Sequence, residues 1–220
     1  LDLKTLSNLP LPNEIYLPRI NSAGLDLSEH ECLDSISQAI NKVQINPMDI
    51  FGVSSYALTH LEGVVSNSIC NQSIIGKVYF SDPAHIKKLT FTDSLDWRNT
   101  PTDDRASVLM KVADSIENLS LEFIDLMIHE AGKTTQDAHD EIRECVDFLR
   151  YYADQSQAFN AQSAQLGPTG ENNILEYCPK GLVVCISPWN FPLAITLGQI
   201  AAALVTGNTV IAKPSEHTPL

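Results

Sequence analysis

The sequence predicts an α/β fold in which helical hairpins precede a β-α-β unit of a parallel sheet. Three observations carry this expectation. Between about residues 100 and 165, apolar side chains recur at helical spacing with helix punctuation around each run. Further on, "LVVCI" (182–186) and "TVIA" (209–212) are short runs rich in β-branched and apolar residues, as in strands covered on both faces. Between them lies "PLAITLGQIAAALV", long enough for a crossover helix that returns the chain so that the two strands run parallel.

Taken in order, residues 1–25 hold Pro10, Pro12 and Pro18 with no sustained period and read as an extended linker or strap. "SEHECLDSISQAINKVQ" (28–44) reads as a helix. Ser28 suits its N-cap with Glu31 three residues on, and Leu33, Ile36, Ala39, Ile40 and Val43 form one apolar face. Residues 1–45 thus form a linker or strap with a short helix, and 46–220 form the main body. Residues 45–73 carry no clear pattern, whereas "SIIGKVYFSDP" (73–83) reads as a strand ending in a turn.

Three helices follow. The first has Thr100 as cap, Pro101 at its first position and Asp103 and Asp104 near the positive end of its dipole. Its inward face is Ala106, Leu109, Met110, Ala113, Ile116 and Leu119. Ser120 caps the second helix, and Gly132 ends it at a position suited to a left-handed residue. The third runs from about Thr135 to about Gln165, until Gly167-Pro168 stops it, a length of ~45 Å. "ILEYC" (174–178) and "LVVCI" then flank a turn at Pro179-Lys180-Gly181, and Gly207-Asn208 closes the helix from Pro192 to Val205.

Composition excludes some functions. The 220 residues carry a net charge of −13, from 27 acidic and 14 basic residues, which opposes binding to a phosphate backbone. No nucleic-acid partner is expected through this segment, and Lys87-Lys88 is too small a basic cluster to argue otherwise. No apolar run reaches the roughly 18–20 residues of a membrane helix. The first residues show neither an initiator methionine nor a basic stretch followed by an apolar one, so a cytoplasmic location and a longer parent chain are expected. The five cysteines, Cys32, Cys70, Cys145, Cys178 and Cys185, include no C-x-x-C pair and read as buried thiols in apolar settings. No metal site is expected.

Ligands of an open parallel sheet bind beyond the carboxyl ends of its strands. The first strand delivers Ser187, Pro188, Trp189 and Asn190 to that edge, and the second delivers Lys213, Pro214, Ser215 and Glu216. A G-x-G-x-x-G phosphate loop is absent. Glu216 can still accept from ribose hydroxyls and repel a 2′-phosphate, which favours NAD over NADP; equally, Lys213 and Glu216 fit a solvated surface loop. The Asn190 amide donates without carrying charge, which suits an oxyanion developing at a carbonyl carbon. It also fits a capping residue before a helix.

These residues together resemble the aldehyde dehydrogenase superfamily. "ISPWNFPLAITLGQIAAALVTGNTVIAKPSEHTPL" (186–220) is similar to its P-W-N-F-P, A-A-L-x-x-G-N-x-V and K-P-x-E-x-T-P-L blocks, and "HEAGKTTQDAHDEIRECVDFLRYYA" (129–153) to its preceding helices with E-x-G-K. The likeness covers roughly residues 70–220. Within the superfamily, "EIRECVDFLRYYA" looks most like glutamate-γ-semialdehyde (1-pyrroline-5-carboxylate) dehydrogenases. "LPLPNEIYLPRINSAGLDLSEHECL" (9–33) resembles the connector after the proline dehydrogenase barrel of bifunctional proline utilization A proteins.

The resemblance implies the N-terminal part of the aldehyde dehydrogenase fold, with 46–220 as an incomplete NAD-binding domain and a Rossmann-like sheet. It implies NAD as cofactor, a small-molecule aldehyde as substrate, a homo-oligomeric parent, and FAD only in a proline dehydrogenase domain outside this chain. It places Asn190 as the oxyanion donor and Ile186, Ser187, Pro188 and Trp189 along the cofactor cleft. Lys213, Ser215 and Glu216 fall at the adenosine ribose, Phe191 along the aldehyde channel and Glu144 near the substrate, although Glu144 equally fits an exposed helix charge. The family's G-S-x-x-x-G region, general-base glutamate and nucleophilic cysteine have no counterpart here, so these residues alone are expected not to turn over. A different aldehyde substrate, a scaffold role or a nucleotide-binding module without chemistry are the rival readings.

Overall fold

The structure is a computed structural model that describes residues 9–42, 48–51, 60–66, 73–81, 83–87, 94–160 and 163–220. The expected boundary at 45/46 lies outside them, as do Val43 and Cys70. A 3-10 turn at Pro12–Glu14 opens the described chain. Next comes α1 (His30–Lys42), then a small sheet of β1 (Met48–Phe51), β2 (His60–Ser66) and β3 (Ile74–Ser81). Its order is β1-β3-β2, with β1 parallel and β2 antiparallel to β3. Two of these strands fall in the stretch whose sequence carried no clear pattern.

Short helices α2 (Pro83–Ile86) and α3 (Leu95–Asn99) lead to three longer ones. These are α4 (Thr102–Asn118), α5 (Ser120–Ala131) and α6 (Thr135–Asn160). A hairpin of β4 (Ser163–Gln165) and β5 (Asn173–Leu175) follows. The chain then forms β6 (Leu182–Ile186), α7 (Ala194–Val205) and β7 (Thr209–Lys213). The parallel pairing of β6 and β7 and the preceding helical hairpins are those predicted from sequence.

The core lies where α6 packs against α4, α5 and α7. α4 contributes Ala106, Leu109, Ala113 and Ile116; α5 contributes Ile124 and Met127. α6 supplies Ile142, Cys145, Val146 and Leu149 along one side, and α7 supplies Ala194, Ala201 and Val205. Met110 and Leu119, expected inside, are 37% and 47% exposed. Met110 sits at the rim of the 106, 109, 113, 116 stripe, where it lines an open recess with Arg150 and Ala153, and Leu119 sits past the helix end. On α1, Ile36 is buried and Ile40 packs on the core, whereas Leu33 is exposed and the side chain of Ala39 lies outside the described set.

Several expected caps are diverted. Ser28 donates through both its N–H and hydroxyl to Asp26, and α1 starts two residues later. Thr100 donates its hydroxyl to Asp96 O and closes α3, leaving Pro101 one place before α4. α5 begins at Ser120 with no side-chain cap. At its other end Gly132 adopts φ +68°, and its N–H and that of Lys133 reach Ile128 O and Met127 O.

α6 stops at Asn160 rather than near Gln165, about 39 Å long, because its last core side chain is Ala153. Phe159 turns outward to meet Tyr177 edge-on at 5.6 Å. β5 ends at Leu175, which leaves Tyr177 and Cys178 exposed instead of in a strand. The expectation that β6 is covered on both faces also fails. Val183 and Cys185 pack inward, but Leu182, Val184 and Ile186 are 39%, 57% and 63% exposed, with no described element over that face.

Two further contacts fix the β-α-β unit and the strap. Asn208 Oδ1 accepts from Lys180 N and Gly181 N while its Nδ2 donates to Ala203 O, tying the turn before β6 to the end of α7. The strap lies across the helices through main-chain donors: Ser22 N to Asp147 at 2.7 Å, Ala23 N to Glu117 at 2.9 Å and Leu25 N to His139 Nε2 at 2.8 Å.

Candidate active site

Parallel pairing brings the two strand tips to one edge. Ile186 lies opposite Lys213, and Ser187 N–H donates to Lys213 O at 3.2 Å. Past that point β6 runs into Ser187-Pro188-Trp189-Asn190-Phe191, and β7 runs into Pro214-Ser215-Glu216. Ser187 and Ser215 are buried, and Ser187 Oγ has no hydrogen-bond partner among the described residues. Ile186 and Trp189 offer exposed apolar surface beside it.

On the second branch, Lys213 Nζ meets Glu216 Oε2 at 3.3 Å, both side chains being more than half exposed. The Glu216 carboxyl is held below the usual range by its own backbone N–H first and by Lys213 next, so it stays ionised. An exposed pair of this kind contributes little to stability, which leaves the carboxylate open to an outside donor.

The first branch enters a cavity of about 430 Å³ between the start of α6 and the turn before α7. Trp189, Asn190 and Phe191 line one wall, and Lys133, Glu141 and Glu144 line the other with Asp137 and Asp140 beside them. Asn190 is exposed to this space. It does not cap α7. The Leu193 and Ala194 N–H groups donate instead to Glu141 Oε1, at 2.8 and 3.1 Å. The other Glu141 oxygen pairs with the Lys133 ammonium, which stands 4.5 Å above the Phe191 ring. Lys213, Ser215 and Glu216 do not line this cavity.

Glu144 is pushed above the ordinary carboxylate range, chiefly by burial and next by the charge of Glu141, with Lys133 opposing. Cys145, behind the cavity wall, has its thiol driven up to about 12 by burial and by the charges of Glu141 and Glu144. Burial likewise raises Cys185. Neither is a thiolate near neutrality, so neither fits a nucleophile. Cys178 departs from the buried-thiol expectation, since β5 ends before it.

Sequence reasoning placed Asn190, Phe191 and Glu144 separately, and the structure brings them to one cavity. It missed Glu141 and Lys133. The three-residue spacing of Glu141 and Glu144 marks a shared helix face, but nothing local in the sequence ties Glu141 to the turn before α7.

Residues 63–220 match the profile of the aldehyde dehydrogenase family. The chain belongs to that family. Over 221 residues it is 39% identical to the bifunctional protein PutA of Escherichia coli K12, covering 96% of this chain and 16% of that protein. It is 44% identical over 124 residues to 1-pyrroline-5-carboxylate dehydrogenase 1 of Halalkalibacterium halodurans, covering 56% of this chain and 24% of that protein. The crystal structure of a Thermus 1-pyrroline-5-carboxylate dehydrogenase with bound NAD superposes with a TM-score of 0.82 at 26% identity, covering 93% of this chain and 41% of the other. The aldehyde dehydrogenase likeness read from the P-W-N-F-P and K-P-x-E blocks is borne out, and so is the fold class. The chain spans about one sixth of the length of its PutA relative.

Proposed function

We propose that this chain is the N-terminal portion of the NAD-binding domain of an enzyme that oxidises L-glutamate γ-semialdehyde, in equilibrium with 1-pyrroline-5-carboxylate, to glutamate in proline catabolism. The observation that carries it is the Asn190 amide at the β6 tip, unspent on helix capping and open to a cavity shared with Glu144 and Phe191. The named activities of the PutA and 1-pyrroline-5-carboxylate dehydrogenase relatives support the substrate. In the same reading the parent is a cytoplasmic homo-oligomer, and a proline dehydrogenase barrel outside these residues holds FAD.

The sheet edge fits a nicotinamide dinucleotide. The apolar surfaces of Ile186, Pro188 and Trp189 supply a flat wall, and the ionised Glu216 beside Lys213 and Ser215 supplies an acceptor for ribose hydroxyls. NAD, when bound, accepts the hydride of the aldehyde carbon. In this chain Asn190 donates its N–H to the oxygen that becomes anionic once a nucleophile, supplied outside these residues, adds to that carbon. Phe191 shields the reacting carbon from water, and Glu144 faces the remainder of the substrate.

In the complete enzyme, Asn190→Ala should lower kcat by about 10²–10³ while the KM for NAD changes far less. Turnover at the parent rate would remove Asn190 from this role. The substrate is tested by kcat/KM for glutamate semialdehyde against aliphatic aldehydes of similar length, the former being preferred.

A further inference from the structure

The geometry points to Glu141 as the positioning residue for the Asn190 amide, an assignment that rests on Asn190 being the oxyanion donor. Glu141 is 1% exposed, yet it belongs to α6, more than fifty positions before the turn it serves. Helix N-termini are ordinarily capped by the preceding residue at low cost. Here the local candidates do not cap, and a charge is buried for the purpose instead. Burying an ion pair is a weak source of stability, because desolvation offsets most of its Coulomb attraction. It is an effective source of geometry. One oxygen receives Leu193 N–H and Ala194 N–H, where the α7 dipole favours an anion. The other holds Lys133, whose ammonium packs on the Phe191 ring. The turn is therefore gripped at Phe191 and at Leu193, on the C-terminal side of Asn190 and within three positions of it. Gly132 completes the device, since its left-handed conformation ends α5 where Lys133 turns toward the cavity. Glu141 touches no reacting atom in this scheme and acts only through the turn.

The test is a double-mutant cycle in the complete enzyme, using glutamate semialdehyde and NAD. Glu141→Gln keeps an acceptor for the two N–H groups but sets an amide N–H₂ against the Lys133 ammonium. It should lower kcat about tenfold and leave the KM for NAD within about twofold, the pattern of a small misplacement of a catalytic group. In the Asn190→Ala background the same change should cost less than about twofold, because the group it positions is gone. An unchanged kcat in the single variant, or the same factor in both backgrounds, overturns the role. If Asn190→Ala alone leaves kcat intact, the oxyanion assignment fails and this role with it. A large Asn190→Ala effect that multiplies with Glu141→Gln sinks the positioning role alone. Should Glu141→Gln not fold by its thermal melt, Lys133→Gln replaces it in the cycle under the same criteria.

Discussion

Glu216 and Glu144 illustrate how neighbours set the state of one carboxyl. Glu216 is exposed and receives donors, so it keeps its charge below the normal titration range. Glu144 looks into a recess next to another anion and holds its proton to higher pH than an ordinary glutamate. In the proposed reading only the first accepts from a ribose diol and repels a 2′-phosphate. The complete enzyme should therefore favour NAD over NADP, and Glu216→Ala should narrow the kcat/KM ratio of the two roughly tenfold. Equal use of both cofactors by the parent would contradict this. Glu216 was legible in the sequence because its block has a fixed spacing after a buried strand. Glu141 was not, because its partners lie 52 and 53 positions away and no periodicity links a mid-helix carboxylate to them.

Element boundaries depend on tertiary partners more than on local signals. Gly132 was readable as a stop because a left-handed residue is needed there whatever packs around it. Gly132→Ala should lower unfolding stability by about 1–2 kcal/mol, measured by urea titration of the protein. A cost near zero would mean that the α5 end relaxes freely. By contrast, the end of α6 was misjudged by five residues. "AFNAQSAQ" is compatible with a helix locally, and only the pairing of β4 with β5 and the lack of a core facing Phe159 stop it earlier. The same reasoning covers Ser28 and Thr100, whose hydroxyls donate to Asp26 and to Asp96 O instead of accepting from the N–H groups of the helix starts they precede.

At the scale of the whole molecule, the layer of α4, α5, α6 and α7 and the parallel β6 and β7 follow from apolar periodicity. The exposure of one β6 face does not, since a run of five apolar residues says that two faces want cover but not what provides it. The fold also carries a pH-dependent contribution between distant segments. Glu130, at the end of α5, accepts from Leu220 N at 2.7 Å, and burial pushes its carboxyl up to about 7. A folded-state pKa above the unfolded one means that the native state binds the extra proton. Glu130 thus favours the fold most below pH 4.5, and that contribution is lost as pH rises toward about 7. Glu130→Gln should flatten the pH dependence of the unfolding midpoint across that window. An identical slope in the variant would rule Glu130 out as its source.

The strap across α4 and α6 donates main-chain N–H groups at residues 22, 23 and 25, while the buried Ser22 hydroxyl also accepts from Arg143 and Arg19 stacks on Tyr151. At residues 23 and 25, whose side chains are exposed, recognition through the amide hydrogen is blind to side-chain identity. Those two positions can drift widely in composition without loosening the attachment, with a single chemical exception: an imino acid, having no hydrogen on nitrogen, would unlatch the segment at that rung.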